Sequence, residues 1–175
     1  TGGVASLTQI CASVWSSGGV QSIGHTRAIY RAGFAAANDA NWYPLIALRI
    51  GTGFKGVSVQ IKKISIDCQS TADYTWRLCL NPIIVGTPLS FAAIANSGVE
   101  AALTATNAST VTNGIDIDAE CQQQTSNGVP AQTQIGDLRM GFTIAGVSDV
   151  LCLAVRRDNG AAETYNAAMV FAEQS

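Results

Sequence analysis

The stretch "DYTWRLCLNP", Asp73 to Pro82, decides the fold. Tyr74, Trp76, Leu78 and Leu80 fall on one parity; Thr75, Arg77, Cys79 and Asn81 fall on the other. Successive side chains of a strand point to opposite faces, so the alternation predicts a β-strand with one face buried. Asn81-Pro82 then stops it, because proline has no N–H to give to a ladder. On this reading Trp76 is a large inner-face anchor. Arg77, on the other face, is available for an edge or subunit contact.

Outward from this strand the pattern stays β. "PLIALRIG", "KGVSVQIKKISIDC", "VEAALTATN", "NGIDIDAEC", "DVLCLAVRRD" and "YNAAMVFAE" read as strands, as does "DLRMGFTIAG". Turn signals separate them, among them Gly51-Thr52-Gly53, Asn113-Gly114 and Asp158-Asn159-Gly160. Many short strands at fairly regular spacing predict a sandwich or barrel rather than βαβ units. Val57, Val59 and Ile61 share a parity, but Ile64 and Ile66 take the opposite one. One extra residue at Lys62-Lys63 would flip the face, as a β-bulge does, and strands bent at bulges are typical of jelly rolls. The fold class expected is therefore all-β, a jelly-roll-like antiparallel β-sandwich. Its core would hold Val57, Val59, Ile61, Trp76, Leu78, Leu80, Leu138, Met140, Phe142, Leu151, Leu153 and Val155. "HTRAIYRAGFAAAN" reads equally as a short helix or a strand.

Residues 1–25 differ from the rest. They mix Gly and Ser with isolated apolar anchors and carry no charged side chain. A disordered tail is usually polar and charged. This segment reads as an N-terminal arm extended over a partner through Leu7, Ile10, Val14 and Trp15, or else as an ordinary first strand with a loose end. The division expected is an arm over 1–25 and a sandwich over 26–175. "TGGVASLTQI" lacks the basic and hydrophobic regions of a signal peptide. Loss of an initiator Met and other processing both fit it.

The chain has 175 residues, enough for one self-sufficient core. Charged residues make up 13%, about half the roughly 25% usual for soluble domains. Hydrophobic residues make up 47% and the mean hydropathy is +0.23. So little charge points to a subunit covered by neighbours. Ten Lys and Arg in all, with a net charge of -2, argue against a nucleic-acid partner. No apolar run reaches membrane-span length. Five cysteines without a CxxC pair fit reduced thiols in a protein made in a cytosol.

Chemistry is sparse. A single histidine, His25, removes most metal and triad schemes. "GTGFKG" lacks the GK[ST] ending of a phosphate loop. Asp116, Asp118 and Glu120 share a parity in "NGIDIDAEC" and form either a solvated acidic strand or, less simply, a calcium site. Arg156 and Arg157, beside Asp158, suggest an intersubunit salt bridge. Catalytic residues and cofactors are not indicated.

The stretches "LRIGTGFKGVSVQIKKISI", "WRLCLNP" followed by "VGTP" and "NSGVE", and "IAGVSDVLCLAVRR" run from Leu48 to about Val155. Through them this part of the chain resembles tailed-bacteriophage virion proteins of the head decoration (cement) or fibre β-sandwich type. The resemblance implies a jelly-roll-like sandwich, often trimeric, without enzyme activity. The function expected is a capsid cement protein, a homotrimer on the virion exterior that bridges subunits of the major capsid protein and is made in the host cytoplasm. The alternative is a fibre or receptor-binding module that recognises glycan through Trp42, Tyr43 and Tyr165. A third reading is a calcium-dependent lectin or enzyme built on Asp116, Asp118 and Glu120.

Overall fold

The computed structural model describes residues 25–37, 39–54, 56–69, 72–103, 107–122, 131–133, 138–143, 146–159 and 163–174, with backbone alone for 131–133. Of the expected arm only His25 falls within them, and it is exposed. Every regular element among the described residues is a strand. In chain order they are β1 (Thr26–Ala36), β2 (Tyr43–Ile50), β3 (Ser58–Cys68), β4 (Tyr74–Leu80), β5 (Ile83–Gly86), β6 (Ala92–Ala93) and β7 (Val99–Leu103). There follow β8 (Ser109–Thr112), β9 (Ile115–Gln122), β10 (Ala131–Thr133), β11 (Arg139–Met140), β12 (Val150–Arg157) and β13 (Glu163–Gln174).

The strands form two main antiparallel sheets and a ribbon. The first sheet runs β1-β13-β3-β10, with β11 also on β3; the second runs β6-β7-β2-β12-β4-β9; β5 and β8 make the ribbon. The chain changes sheet at each step from β1 to β4, and again from β9 through β10 and β12 to β13. Alternating side chains on the two facing surfaces then close on one core. All twelve residues expected in that core are found there. Val59, Ile61, Trp76, Leu78, Met140, Leu151, Leu153 and Val155 are buried; Val57, Leu80, Leu138 and Phe142 pack against them half-buried.

The change of face in β3 is real. Val170 lies opposite Lys63 and Phe171 opposite Ile61, so Lys62 is the extra residue. That one residue lets Val59 and Ile61 share the buried face with Ile64 and Ile66. The ambiguous segment after His25 is a strand, β1, whose register against β13 shifts between Arg31 and Phe34. Gly33 supplies the left-handed backbone there, with φ 66°. "DLRMGFTIAG" is less regular than expected: Arg139–Met140 is its described strand, and Phe142 makes an isolated bridge to Ser148.

The Tyr74–Leu80 strand stops at Asn81-Pro82 as expected, and the chain turns a corner there into β5. Asn81 (φ 50°) turns β4 into β5, and beside it Asn113 (φ 53°) and Gly114 (φ 95°) turn β8 into β9. Asparagine tolerates this left-handed region better than other non-glycine residues. A Cβ on Gly114 would sit 3.0 Å from the Pro82 Cα, so the two turns nest. Asn81 fastens the corner to β12: its N–H donates to the Val150 carbonyl at 2.7 Å, and its side-chain oxygen accepts from the Val150 N–H at 2.8 Å.

Beyond the corner the ribbon folds back over the outer face of the second sheet. Ile84 and Val111 pack there with Cys79, Cys152 and Ala154 in a second, smaller core. The Tyr74–Leu80 strand is therefore covered on both faces, not one. Thr75 and Cys79 are buried along with Trp76 and Leu78. Replacing Trp76 by Ala should cost about 3–5 kcal/mol as a large-to-small core change. Denaturant titration checks this, and a loss below about 1 kcal/mol, the scale of an exposed site, would contradict the burial of this anchor.

Candidate interaction surface

β9 is an edge strand: β4 pairs with one side of it, and no strand among the described residues pairs with the other. Its register shifts against β4, with Leu78 opposite Asp118 and Cys79 opposite Asp116, so Ile117 is extra. Residues directly opposite each other share a face of a sheet. Asp116 thus lies on the outer face, where it pairs with Arg77 at 3.4 Å. Asp118 and Glu120 lie on the opposite side, and Glu120 helps to raise the pKa of the inward Tyr74 phenol. The expectation of one row of three carboxylates is corrected by this bulge. Among the described residues, no group of three or more His, Cys, Asp or Glu side chains can hold a metal ion.

Arg77 is engaged inside its own chain. Its guanidinium stacks on the Trp42 ring at 4.5 Å and donates to the Val111 carbonyl at 3.3 Å. Arg156 covers the same ring at 4.9 Å and pairs with Asp158 at 3.1 Å. The Val111 N–H donates to the Trp42 carbonyl at 2.8 Å, which ties the ribbon to this stack. The two cation–π contacts fix the Trp42 ring, and the two hydrogen bonds at Val111 tie the ribbon to it.

Arg157 departs from the expected surface role. It is only 4% exposed, because it continues the inward parity of Leu151, Leu153 and Val155. Glu163 is its ion partner at 3.9 Å, and none of its three side-chain nitrogens makes a hydrogen bond. The parity of β12 contains this placement, since Arg157 is two residues beyond the inward Val155. The aromatics considered for glycan recognition are not presented either. Tyr43 and Tyr165 are buried, and Trp42 lies between two arginines. Leu7, Ile10, Val14 and Trp15 lie outside the described residues.

What the sequence reading missed is a set of exposed apolar side chains around the corner. Ile83 is 53% and Val85 49% exposed on β5, while Ile115 is 64% and Ile117 37% exposed on β9. β-branched residues in an alternating strand look like core from the sequence. Only the ribbon's fold-back shows that Ile84 faces in and its neighbours face out. Of the described cysteines, Cys68, Cys79 and Cys152 are buried and Cys121 on β9 is exposed.

Tyr74 and Tyr165 meet edge to face, with ring centroids 5.4 Å apart. Burial holds both phenols neutral and raises their pKa values above the ordinary range. The Tyr165 hydroxyl has no hydrogen-bond partner. In the unfolded chain such phenols ionise near pH 10. A raised folded value therefore gives stability that is intact below about pH 10 and lost as the pH climbs above it. Tyr165→Phe should change stability by less than about 1 kcal/mol at pH 7. Above about pH 10 it should flatten the loss by at most about 1.4 kcal/mol per pH unit. Chemical denaturation across pH 7–11 (roughly the window set by that phenol value) reads both effects.

Comparison with protein-family models, curated proteins and solved structures finds no match to this chain.

Proposed function

We propose that this protein is a non-enzymatic virion structural protein, a capsid cement or decoration protein that seats as a homotrimer on the head exterior and bridges subunits of the major capsid protein. The observation that carries the proposal is the exposed apolar set Ile83, Val85, Ile115 and Ile117 beside an unpaired strand edge. An edge of this kind invites pairing, and a patch of this kind marks an interaction site. The virion setting rests on the resemblance of the Leu48–Val155 stretch. We read the sandwich as a jelly roll, and the support is its strand order, β1-β13-β3-β10 against β2-β12-β4-β9.

The N-terminal segment enters as a second attachment. Leu7, Ile10, Val14 and Trp15 would each contribute about 1.5–3 kcal/mol on full burial. Ordering the glycines around them costs conformational entropy. Burial against another subunit offsets that cost.

The test is binding to mature empty heads that lack the protein. Saturable binding by the full chain is expected, and absence of binding overturns the cement reading. Binding to glycan arrays without binding to heads would favour the fibre alternative. A chain starting at His25 should keep its melting temperature and bind heads less tightly. Unchanged head binding would remove the arm from the proposal.

A further inference from the structure

Two of the edge strands among the described residues, β1 and β9, carry opposite charge. β1 ends the first sheet and packs over β2 and β12. Arg27, near its start, donates to the Ala95 and Asn96 carbonyls in the turn between β6 and β7. β1 therefore lies on the β6–β7 side of the molecule, whereas β9 ends the second sheet at the other side. On β1, Arg31 has no ion pair among the described residues, its Nε makes no hydrogen bond, and its guanidinium rests 5.5 Å from the Phe34 ring. Tyr30 beside it is 61% exposed. On β9, Asp118 and Glu120 likewise have no ion pair among the described residues, and Ile115 and Ile117 are exposed beside them.

We propose that the partner of the β9 edge is a second copy of this chain, docked through its β1 edge. The inference rests on the homotrimer part of the proposed function and specifies its interface. Arg31 of one copy meets Asp118 and Glu120 of the next, and Tyr30 lies on the other face of the joined strands. Neither edge is paired on its outer side by a strand among the described residues, which leaves backbone groups for a shared ladder. Because different edges meet, the contact is head to tail, the kind that closes a ring when the rotation allows it. Charged residues on an edge also serve in other proteins to prevent pairing. The exposed isoleucines that precede these carboxylates on β9 and the matching cation on β1 favour docking instead.

The experiment measures the assembly state of the full chain by light scattering at micromolar concentration. The variants are Arg31→Glu, Asp118→Lys/Glu120→Lys, and all three changes combined. The wild type should be a multimer, each one-sided variant should associate at least tenfold more weakly, and the combined variant should recover. Melting temperatures confirm that the variants are folded. The neutral pair Asp118→Asn/Glu120→Gln separates docking from avoidance: weaker association supports the interface, and stronger association overturns it. A monomeric wild type, or a charge reversal with no effect, also overturns it. Head binding by a monomer would sink this interface and leave the cement reading standing. Assembly without head binding would do the reverse.

Discussion

Everything on the outer side of the second sheet depends on one corner, where Asn81-Pro82 and Asn113-Gly114 turn two paired strands together. A single strand turning there would have to leave its partner and expose a row of backbone groups. Because both turn, the ladder is restored at once between β5 and β8, from Ile83 opposite Thr112 to Gly86 opposite Ser109. The corner needs left-handed backbone at adjacent points, and the residues present are those that adopt it at least cost. At the far end of the ribbon Gly86 is equally constrained: a Cβ there would lie 2.2 Å from the Ala108 carbonyl oxygen.

The fold-back has a consequence for composition. A sheet covered on both faces reads as continuous apolar sequence rather than as alternation. β2 and β12 do read so, with Leu45, Ile46, Ala47 and Leu48 all buried on one and Leu151 through Val155 all buried on the other. Part of the charge deficit therefore comes from the third layer inside a single chain. Composition alone then says less about assembly than it first suggests. Particular places among the described residues indicate an interface instead: edges with no paired strand, the exposed isoleucines, and charges without an ion partner.

The sandwich was legible where periodicity was local. The parity change at Lys62-Lys63 predicted a bulge because five hydrophobic residues fix the two phases within ten positions. The bulge at Ile117 was illegible for a converse reason. With Asp116, Asp118 and Glu120 evenly spaced and solvated, the strand has no apolar phase to break. Its partner β4, not its own sequence, sets the register. The ribbon was invisible for a third reason: β4 alternates as a half-buried strand should, and nothing in Thr75, Arg77 and Cys79 announces a cover. Thr75 donates to the Asp158 carboxylate, Arg77 lies on Trp42, and Cys79 is buried against β12. Polar side chains satisfied by distant partners look in sequence like side chains facing water.

Arg77 and Arg157 show how the same residue type takes opposite roles on neighbouring strands. Arg77 points outward into a polar and aromatic niche where a ring, a carbonyl and a carboxylate share its charge. Arg157 points inward, near the edge-to-face pair of Tyr74 and Tyr165, with one carboxylate at the limit of an ion pair. A buried charge so poorly supported costs more to desolvate than its partner returns. Replacing both partners, Arg157→Met/Glu163→Met, should therefore leave stability unchanged or raise it by about 1–4 kcal/mol, whereas Arg157→Met alone strands the Glu163 carboxylate and should lower it. The Arg77→Met change should lower it, since it strips the Trp42 stack and the tie to Val111 together. Measured side by side in urea, a loss at Arg157→Met/Glu163→Met larger than at Arg77→Met would show that the inward pair, not the outward guanidinium, holds the sandwich end together.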